Sequence, residues 1–390
     1  MQLSMNTRYA VIHASFWGAY GSLWAFIALV LEYNGFASAQ VGVVTSCATL
    51  LSVFLSPAVS SFLDARPGLE NRHGAMALLS LAAALCLLAW LVPLPRPFVL
   101  GACFALIGAF LSSTPPFQNA MAMDANRCGI PVVYGFCRGV GSVSYAAAVL
   151  LLGFVLERHA PTLLLPIFAA LTACGLLAMS GFRLPEHPDE AADRPAEHRS
   201  IAAVLRSHPR FALTLLGCMF FFLTHTISNT YMNALVGKAG GTASAVGTSL
   251  AISAVLELPA MTLVSRLQKR FSPGFFLRFA AGAEVVKFLI FYLAHSMPLI
   301  YLGQCMQFFQ FAVYAPATVY YVAAALPERD QLKGQSLIYV AGSGLGGALG
   351  NLLGGRLLDR SGIQAALLLG TVSAAASLLT FCLSTREDSR

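Results

Sequence analysis

The stretch Gly153-Phe-Val-Leu-Glu157-Arg158 returns 202 residues later as Gly355-Arg-Leu-Leu-Asp359-Arg360. Each copy keeps a glycine and an acidic–basic pair at the same spacing, within apolar sequence. Two further pairs follow nearly the same offset: Gly141-Ser142 with Gly342-Ser343, and Gly42 with Gly247. A repeat of this length in a membrane chain predicts two similar helical bundles, with a transported solute bound between the halves near mid-membrane.

The composition excludes a water-soluble protein. Of the 390 residues, 57% are hydrophobic and only 11% are charged, whereas soluble domains carry about 25% charged residues. The first apolar run, near residues 9–31, is long enough to cross a bilayer, so we expect a membrane helix there and no cleaved signal peptide. The nine cysteines lie mostly in apolar runs without metal-like spacing. We interpret them as packing residues and expect no metal site and no cofactor.

Apolar segments predict an all-α membrane protein with twelve spans in two six-helix bundles, residues 1–182 and 211–390. The spans of the first bundle lie near residues 9–31, 38–63, 75–92, 98–122, 133–156 and 161–182. Those of the second lie near residues 211–236, 243–268, 274–295, 298–325, 332–358 and 363–384. Residues 183–210 are rich in proline and charge, and we expect a flexible cytoplasmic linker there.

The placement of lysine and arginine predicts the orientation of the chain. With the amino terminus in the cytoplasm, only five basic residues fall in external loops: Arg96, Arg158, Lys238, Arg356 and Arg360. This bias predicts that both termini are cytoplasmic, in a bacterial inner membrane. The net charge of +7 then fits a basic face against anionic membrane lipid, which we favour over nucleic-acid binding. We expect a monomer.

Twelve spans in two similar halves, joined by a central loop, resemble the major facilitator superfamily. The segment Ser60-Ser-Phe-Leu-Asp64-Ala-Arg66 resembles that superfamily's loop motif between helices 2 and 3. Serine stands where glycine is usual, and Pro67-Gly68 replaces the usual basic tail. The equivalent place in the second half holds Ser265-Arg266-Leu-Gln-Lys269-Arg270. The resemblance implies a conformational latch that includes Asp64, Arg66 and Lys269.

Four further motifs resemble the branch that contains lactose permease, nucleoside permeases and phenylpropionate permease-like proteins. They are Gly35-Phe-Ala-Ser-Ala-Gln40-Val-Gly42, Tyr134-Gly-Phe-Cys-Arg138-Gly-Val-Gly141-Ser142, Glu257-Leu-Pro259 and Gly346-Gly-Ala-Leu-Gly350-Asn351-Leu-Leu-Gly-Gly355. The resemblance covers nearly the whole chain and implies import of a small organic solute with protons. It also implies that Glu257 and Arg138 contact the solute and that Lys287 helps to release the proton.

Ionisable side chains inside the spans are costly and are therefore functional candidates. Glu257, in apolar sequence, is predicted to contact the solute, to carry the proton, or both, and the alternative is an ion pair that only packs helices. A nearby Lys287 would favour the carboxylate, and its departure would let Glu257 take up a proton. Lys287 could instead snorkel to the interface or pair with Glu284, one turn earlier.

Two polar residues of the first half are predicted to bind solute. The guanidinium of Arg138 can hold a carboxylate or hydroxyls in a forked geometry, unless it only lies at the cytoplasmic interface. Asn119 stands where the branch often has an acidic residue. Asp124 is expected to pair with Arg127, three residues later.

Three amides replace the proton relay that the lactose permease branch carries in span 10. Gln304, Gln307 and Gln310 recur at three-residue spacing, so they share one helical face. Glutamine cannot titrate, but it donates and accepts hydrogen bonds. The three therefore form either a polar strip facing solute or bonds between helices. Glu257 remains the strongest proton carrier, and His225 is a second candidate, because the charge of an ordinary histidine changes near neutral pH.

Aromatic and polar stripes add candidates. Trp17, Tyr20 and Trp24 share one face of span 1, which could stack on a sugar or aromatic solute or simply pack against core or lipid. His225, Asn229 and Asn233 recur every four residues in span 7, and we expect them to face a cavity. The many glycines of span 11 are expected to serve close helix contact and rocking motion.

These features predict an importer, not an enzyme, that moves an aromatic acid, sugar or nucleoside by alternating access, driven by the proton gradient. Its partners are then the solute, protons and membrane lipid. A proton-driven exporter of drugs, metabolites or siderophore-like compounds is an alternative, although Gly153 to Arg158 lacks the proline of the antiporter signature. An uncoupled uniporter is the other alternative.

Overall fold

The computed structural model describes residues 4–66, 68–95, 97–184 and 201–385. Within these ranges all regular elements are helical and no strand occurs. The chain divides into two compact units, Met1–Ala191 and Ala192–Arg390. Most of the predicted linker, residues 183–210, lies outside the described residues; its described end holds a short helix, Ile201–Ser207.

The first unit contains six long helices. They are α1 (Met5–Tyr33), α2 (Ser38–Asp64), α3 (Asn71–Leu91), α4 (Phe98–Arg127), α5 (Tyr134–Val155) and α6 (Pro161–Ser180). A 3₁₀ turn at Trp24–Phe26 interrupts α1. In α4 the α-helical pattern stops at Ser113 and resumes at Pro115, because proline has no N–H to continue the ladder.

The second unit also contains six long helices. They are α7 (Pro209–Thr230, followed by Met232–Lys238), α8 (Ala243–Leu267), α9 (Pro273–Leu293), α10 (Met297–Ala325), α11 (residues 328–361) and α12 (residues 363–384). Gly362 separates the last two with a φ of 74°, a left-handed conformation that favours glycine. A π-helical segment, Val340–Gly346, lies within α11.

Length and hydropathy make ten helical stretches of the described chain able to cross a membrane. Helix α9 is not among them, because it contains Arg278, Glu284 and Lys287. Helices α11 and α12 count as one stretch, Lys333–Ser384, despite the break at Gly362. The predicted all-α membrane fold is therefore confirmed, with twelve long helices in the described residues and ten stretches that meet the criteria for a membrane span. Large apolar side chains on the outside, such as Phe98 with 87% of its surface exposed, suit contact with lipid.

The same packing pattern occurs inside each unit. In the first unit α1 packs on α5 and α6, α2 on α4, and α3 on both α4 and α6. In the second unit α7 packs on α11 and α12, α8 on α10, and α9 on both α10 and α12. The contacts with α12 include Gly217 of α7 beside Phe381, and Phe288 of α9 beside Gly370. Each helix of one unit thus has a counterpart with equivalent neighbours in the other. The predicted similarity of the two halves is confirmed.

The repeated glycines lie at equivalent helix contacts in the two units. A Cβ atom on Gly141 of α5 would lie 2.5 Å from Cδ1 of Trp17 on α1. A Cβ atom on Gly342 of α11 would lie 2.8 Å from Cδ2 of Phe222 on α7. In both units a large ring on the first helix therefore occupies the space that a side chain on the fifth would need.

Candidate functional site

A hydrogen-bonded chain inside the second unit joins α8, α9 and α10. The ammonium of Lys287 donates to Oε1 of Gln307 over 2.9 Å. The amide Nε2 of Gln307 donates to Oε1 of Glu257, also over 2.9 Å. Lys287 is 1% exposed and Gln307 is 3% exposed, so the ammonium is bonded inside the unit and does not snorkel to an interface. Gln307 thus separates the lysine from the carboxylate that the sequence placed near it.

Two helices depart from regular geometry at this chain. Gln307 lies in a 3₁₀ turn, Met306–Phe308, within α10. The backbone of Gln310 then breaks the helix with φ −99° and ψ −95°. Pro259 follows Glu257 inside α8, and its missing N–H removes one bond from the helical ladder. Irregular backbone of this kind is often found at functional positions in helices.

The three glutamines of α10 are buried, and Gln304 and Gln310 contact α7 whereas Gln307 bonds α8 and α9. Besides the bonds of Gln307, the amide nitrogen of Gln304 lies 3.5 Å from Sδ of Met232, and that of Gln310 lies 3.5 Å from Nδ1 of His225. Gln304 is 2% exposed and Gln310 is 0% exposed. Of the two alternatives for these residues, the described structure shows bonding between helices.

His225 is held by amides and by an aromatic ring. Its Nε2 lies 3.2 Å from Nδ2 of Asn229, which also donates to the His225 carbonyl over 2.8 Å. The imidazole stacks in parallel on Phe311, with 4.4 Å between ring centroids. Asn233 does not continue the same helix, because α7 breaks at Tyr231 before Met232–Lys238 begins. The predicted polar stripe is therefore interrupted after Asn229.

The complete burial of Glu284 is a feature of this unit that the sequence did not reveal. The side chain is 0% exposed, and within the described chain neither carboxylate oxygen has a hydrogen-bond partner. The alternative in which Lys287 bonds Glu284 is not observed, since the ammonium donates to Gln307, although the two groups still interact electrostatically. The sequence could have indicated this burial, because Glu284 lies on an apolar face of α9. That face also carries five residues that are 0% exposed: Leu277, Ala280, Ala281, Phe288 and Phe291.

A second polar cluster lies inside the first unit, between α1 and α5. The guanidinium carbon of Arg138 lies 4.1 Å from the centroid of the Trp17 ring, and its Nη1 donates to Oγ of Ser142 over 2.8 Å. Tyr20 lies beside Trp17, with 5.6 Å between ring centroids. Three predicted solute residues are therefore adjacent. A guanidinium over an indole face is a favourable cation–π contact.

Asn119 of α4 accepts a hydrogen bond from the hydroxyl of Tyr134 over 3.2 Å. Tyr134 opens α5, and its ring lies 6.1 Å from that of His13. Asn119 is thus connected through one tyrosine to the side of α1 that carries His13.

Comparison with known proteins identifies the family. Residues 6–369 match the family described as MFS_1 like. The chain belongs to this family of the major facilitator superfamily. A maltose permease of Geobacillus stearothermophilus is 27% identical over 286 residues, which cover 73% of the chain and 71% of the permease. The uncharacterized transporter YwbF of Bacillus subtilis (strain 168) is 22% identical over 100% of the chain and 96% of its own length.

Solved structures share the fold. The nucleoside transporter NupG superposes with a TM-score of 0.81 at 17% identity, over 100% of both chains. A bacterial homologue of the human drug peptide transporters superposes with a TM-score of 0.72 at 14% identity, over 98% of both chains. The resemblance seen in the sequence is therefore confirmed, and the protein is a transporter of the major facilitator superfamily.

The first unit of this transporter holds two buried polar residues that the sequence reading passed over. His13 is 1% exposed and Gln118 is 0% exposed, and their side-chain nitrogen and oxygen atoms have no partner within the described residues. Tyr9 packs on His13 at 4.7 Å between rings and donates to the carbonyl of Gln118 over 2.9 Å. Buried polar atoms of this kind normally form hydrogen bonds to protein groups, to water or to a bound ligand. The sequence signal for His13 and Gln118 was that both are polar residues inside predicted membrane spans.

The remaining predicted residues lie near helix ends. The guanidinium of Arg66 lies 3.5 Å from the ring centroid of Phe62, and Lys269 is exposed. The side chain of Asp64 lies outside the described residues, so the latch stays a prediction. Asp124 pairs with Arg127 over 3.7 Å, as expected. In the described chain no group of three His, Cys, Asp or Glu residues could hold a metal ion.

Proposed function

We propose that this transporter imports a small polar organic solute together with protons, by alternating access. The observation that carries the proposal is the hydrogen-bonded chain from the buried Lys287 through the buried Gln307 to the half-buried Glu257. A carboxyl group in a water-poor interior can exist as a neutral acid or as an anion held by an N–H donor. Gln307 supplies that donor, and Lys287 supplies the compensating charge. The two charges balance while Glu257 is ionised, and when Glu257 takes up a proton Lys287 keeps its charge and its hydrogen bond to Gln307.

The solute class follows from the cluster on α1 and α5. Arg138 offers charged N–H donors, and Trp17 and Tyr20 offer aromatic surface beside it. A few polar groups among aromatic side chains are typical of small-molecule sites. Such a surface suits a ring that carries hydroxyls or a carboxylate. The maltose permease and nucleoside transporter among the similar proteins favour the sugar and nucleoside classes, with aromatic acids as the third class.

Thermal unfolding of the detergent-purified protein with maltose, uridine and phenylpropionate tests the solute class. A solute that binds the folded protein raises the apparent unfolding temperature by mass action. We expect one of the three to do so in the wild type and not in Arg138→Ala. Arg66→Ala is the control, because it removes an exposed guanidinium that also lies over an aromatic ring.

Uptake into proteoliposomes tests the coupling. With an inward proton gradient, we expect the solute found by the unfolding screen to accumulate and the accumulation to collapse when a protonophore is added. Equal uptake with and without the gradient would indicate a uniporter. Solute release that is driven by external acid would indicate the exporter.

A further inference from the structure

Three side chains of the first unit hold five buried polar atoms that have no hydrogen-bond partner among the described residues. The atoms are both ring nitrogens of His13, the amide nitrogen and oxygen of Gln118, and Nε1 of Trp17. His13 is 1% exposed and Gln118 is 0% exposed. A buried donor or acceptor that stays unpaired is strongly unfavourable, and proteins pair nearly all such groups with protein atoms or with ordered water. The five atoms therefore indicate a bound partner.

The three side chains surround one place, where α1 meets α4 and α5. Tyr9 packs edge-on against His13 with 4.7 Å between ring centroids, and its hydroxyl donates to the backbone carbonyl of Gln118 over 2.9 Å. Tyr134 of α5 approaches His13 from another side, with 6.1 Å between centroids. Trp17 follows His13 by four residues, so the two share one face of α1. We call His13, Trp17 and Gln118 the inner polar site.

The two tyrosines beside the inner polar site cannot donate to it. The hydroxyl of Tyr9 donates to the Gln118 carbonyl, and the hydroxyl of Tyr134 donates to Oδ1 of Asn119 over 3.2 Å. A tyrosine hydroxyl has one proton to donate. The imidazole nitrogen that lacks a proton and the amide oxygen of Gln118 therefore need a donor from elsewhere.

The donors and acceptors of the inner polar site select a small neutral guest. A neutral imidazole offers one donor and one acceptor, the amide of Gln118 offers donors and an acceptor, and the indole of Trp17 offers a donor. An anion would leave both acceptors unpaired. A cation is disfavoured by the guanidinium of Arg138, whose carbon lies 4.1 Å from the centroid of the Trp17 ring. Water donates and accepts, and it is small enough for an enclosed site.

We propose that the inner polar site binds ordered water inside the first unit, at the edge of the indole ring whose face carries Arg138. The water accepts from Nε1 of Trp17 and bridges His13 to Gln118. It thereby extends the contact between α1 and α4 that the hydroxyl of Tyr9 begins. The same water helps to hold the ring on which the guanidinium of Arg138 lies.

The second unit supplies a dry reference at the equivalent place. A Cβ atom on Gly141 would lie 3.2 Å from the carbonyl oxygen of His13, and one on Gly342 would lie 3.6 Å from that of Cys218. Cys218 is therefore the counterpart of His13. It belongs to the hydrophobic core of the second unit, together with Phe221. We expect water at the histidine and none at the cysteine.

Radical labelling of the detergent-purified protein in water that carries heavy oxygen tests the proposal. A brief X-ray pulse turns water into hydroxyl radicals, which oxidise only side chains within their short reach, and mass spectrometry locates the heavy oxygen. We expect label on Tyr9 and His13, although they are 0% and 1% exposed. The matched references are Phe221, 0% exposed, and Tyr231, 1% exposed with its hydroxyl bonded to the carbonyl of Asn351. Both stay unlabelled.

The variant Gln118→Leu gives a second, independent measurement. Leucine keeps the volume and removes both amide atoms. Bound water then loses a partner, so the unfolding temperature and the label on His13 both fall. In a dry site leucine instead removes an unpaired group, and the unfolding temperature rises. Gln304→Leu, which replaces a buried glutamine of the second unit, is the matched control and keeps the label on His13.

Three results overturn the proposal. One is an unlabelled His13 in a protein whose exposed Tyr33 gains heavy oxygen, because the inner polar site is then dry. The second is equal label on Tyr231 and Tyr9, since solvent then enters the interior of both units. The third is a higher unfolding temperature in Gln118→Leu. Bound water requires no particular solute and no proton gradient, so a failure of the uptake experiments contradicts the proposed function alone.

Discussion

Gln307 is the residue on which the candidate site depends most, because one amide group bonds both Lys287 and Glu257. Its type and its place in span 10 could be read from the sequence. Its role could not, because spacing along one helix does not state which side chains meet between helices. The sequence predicted a direct relation between the lysine and the glutamate. The structure inserts an amide between them.

Replacing Gln307 with leucine should destabilise the protein. Leucine keeps the volume but leaves a buried ammonium and a half-buried carboxylate without their shared partner, and we expect a loss of about 2–4 kcal/mol in the free energy of unfolding. Thermal unfolding in detergent measures it. The matched control is Gln304→Leu, which removes only the 3.5 Å contact with Met232 Sδ. Equal losses in the two variants would show that the hydrogen bonds of Gln307 stabilise the protein no more than the contact of Gln304 with Met232.

The helices themselves were predicted better than their breaks. Span 5, expected at residues 133–156, is observed as Tyr134–Val155. Span 1, expected at residues 9–31, is observed from Met5, because Ser4 caps its first turn by accepting from the Thr7 N–H. The break at Gln310 was not predicted, since hydropathy reports where a chain is apolar and not how its backbone bonds locally.

Helix α11 lies unusually close to α7, as its glycines led us to expect. A Cβ atom on Gly346 would meet the carbonyl oxygen of Met219, and one on Gly350 would meet that of Leu223. Both glycines therefore face the α7 backbone with no room for a side chain. Since α11 also contains the π-helical segment Val340–Gly346, the two helices can slide or rock with little side-chain interlocking.

Gly350→Ala should push α11 away from α7 and lower the free energy of unfolding by about 1–3 kcal/mol. Gly282→Ala in α9 is the matched control, because nothing lies within 4 Å of its added Cβ atom. Alanine favours a helix over glycine, so the control should gain up to about 1 kcal/mol. Unfolding temperatures of the two variants in the same detergent check this. A loss in both, or in neither, would contradict the close contact.

The two units share a scaffold and differ in their chemistry. The repeat of Gly153 and Gly355 predicted the common scaffold, and the equivalent helix neighbours confirm it. The charges are not repeated: the interior of the second unit holds Glu257, Glu284 and Lys287, whereas the first places Arg138 on Trp17. Periodicity reveals what the halves have in common. It does not reveal these differences. The family could therefore be predicted from the sequence, whereas the solute could not.

The orientation of the whole molecule is a prediction from its basic residues. If both termini face the cytoplasm, alkaline phosphatase fused after the last residue should be inactive in bacterial cells, because it folds only outside. The same enzyme fused after His159, between α5 and α6, should be active. Phosphatase activity of the terminal fusion, or its absence in the His159 fusion, would contradict the predicted topology.

Proton movement measured with a pH-sensitive dye inside proteoliposomes tests the central claim most directly. When maltose, uridine and phenylpropionate are added outside in turn, one of them should acidify the interior of wild-type vesicles. Glu257→Gln should bind that solute and exchange it across the membrane without acidification, because its amide cannot take up a proton. Solute entry without acidification in the wild type, or equal acidification in Glu257→Gln, would contradict the account.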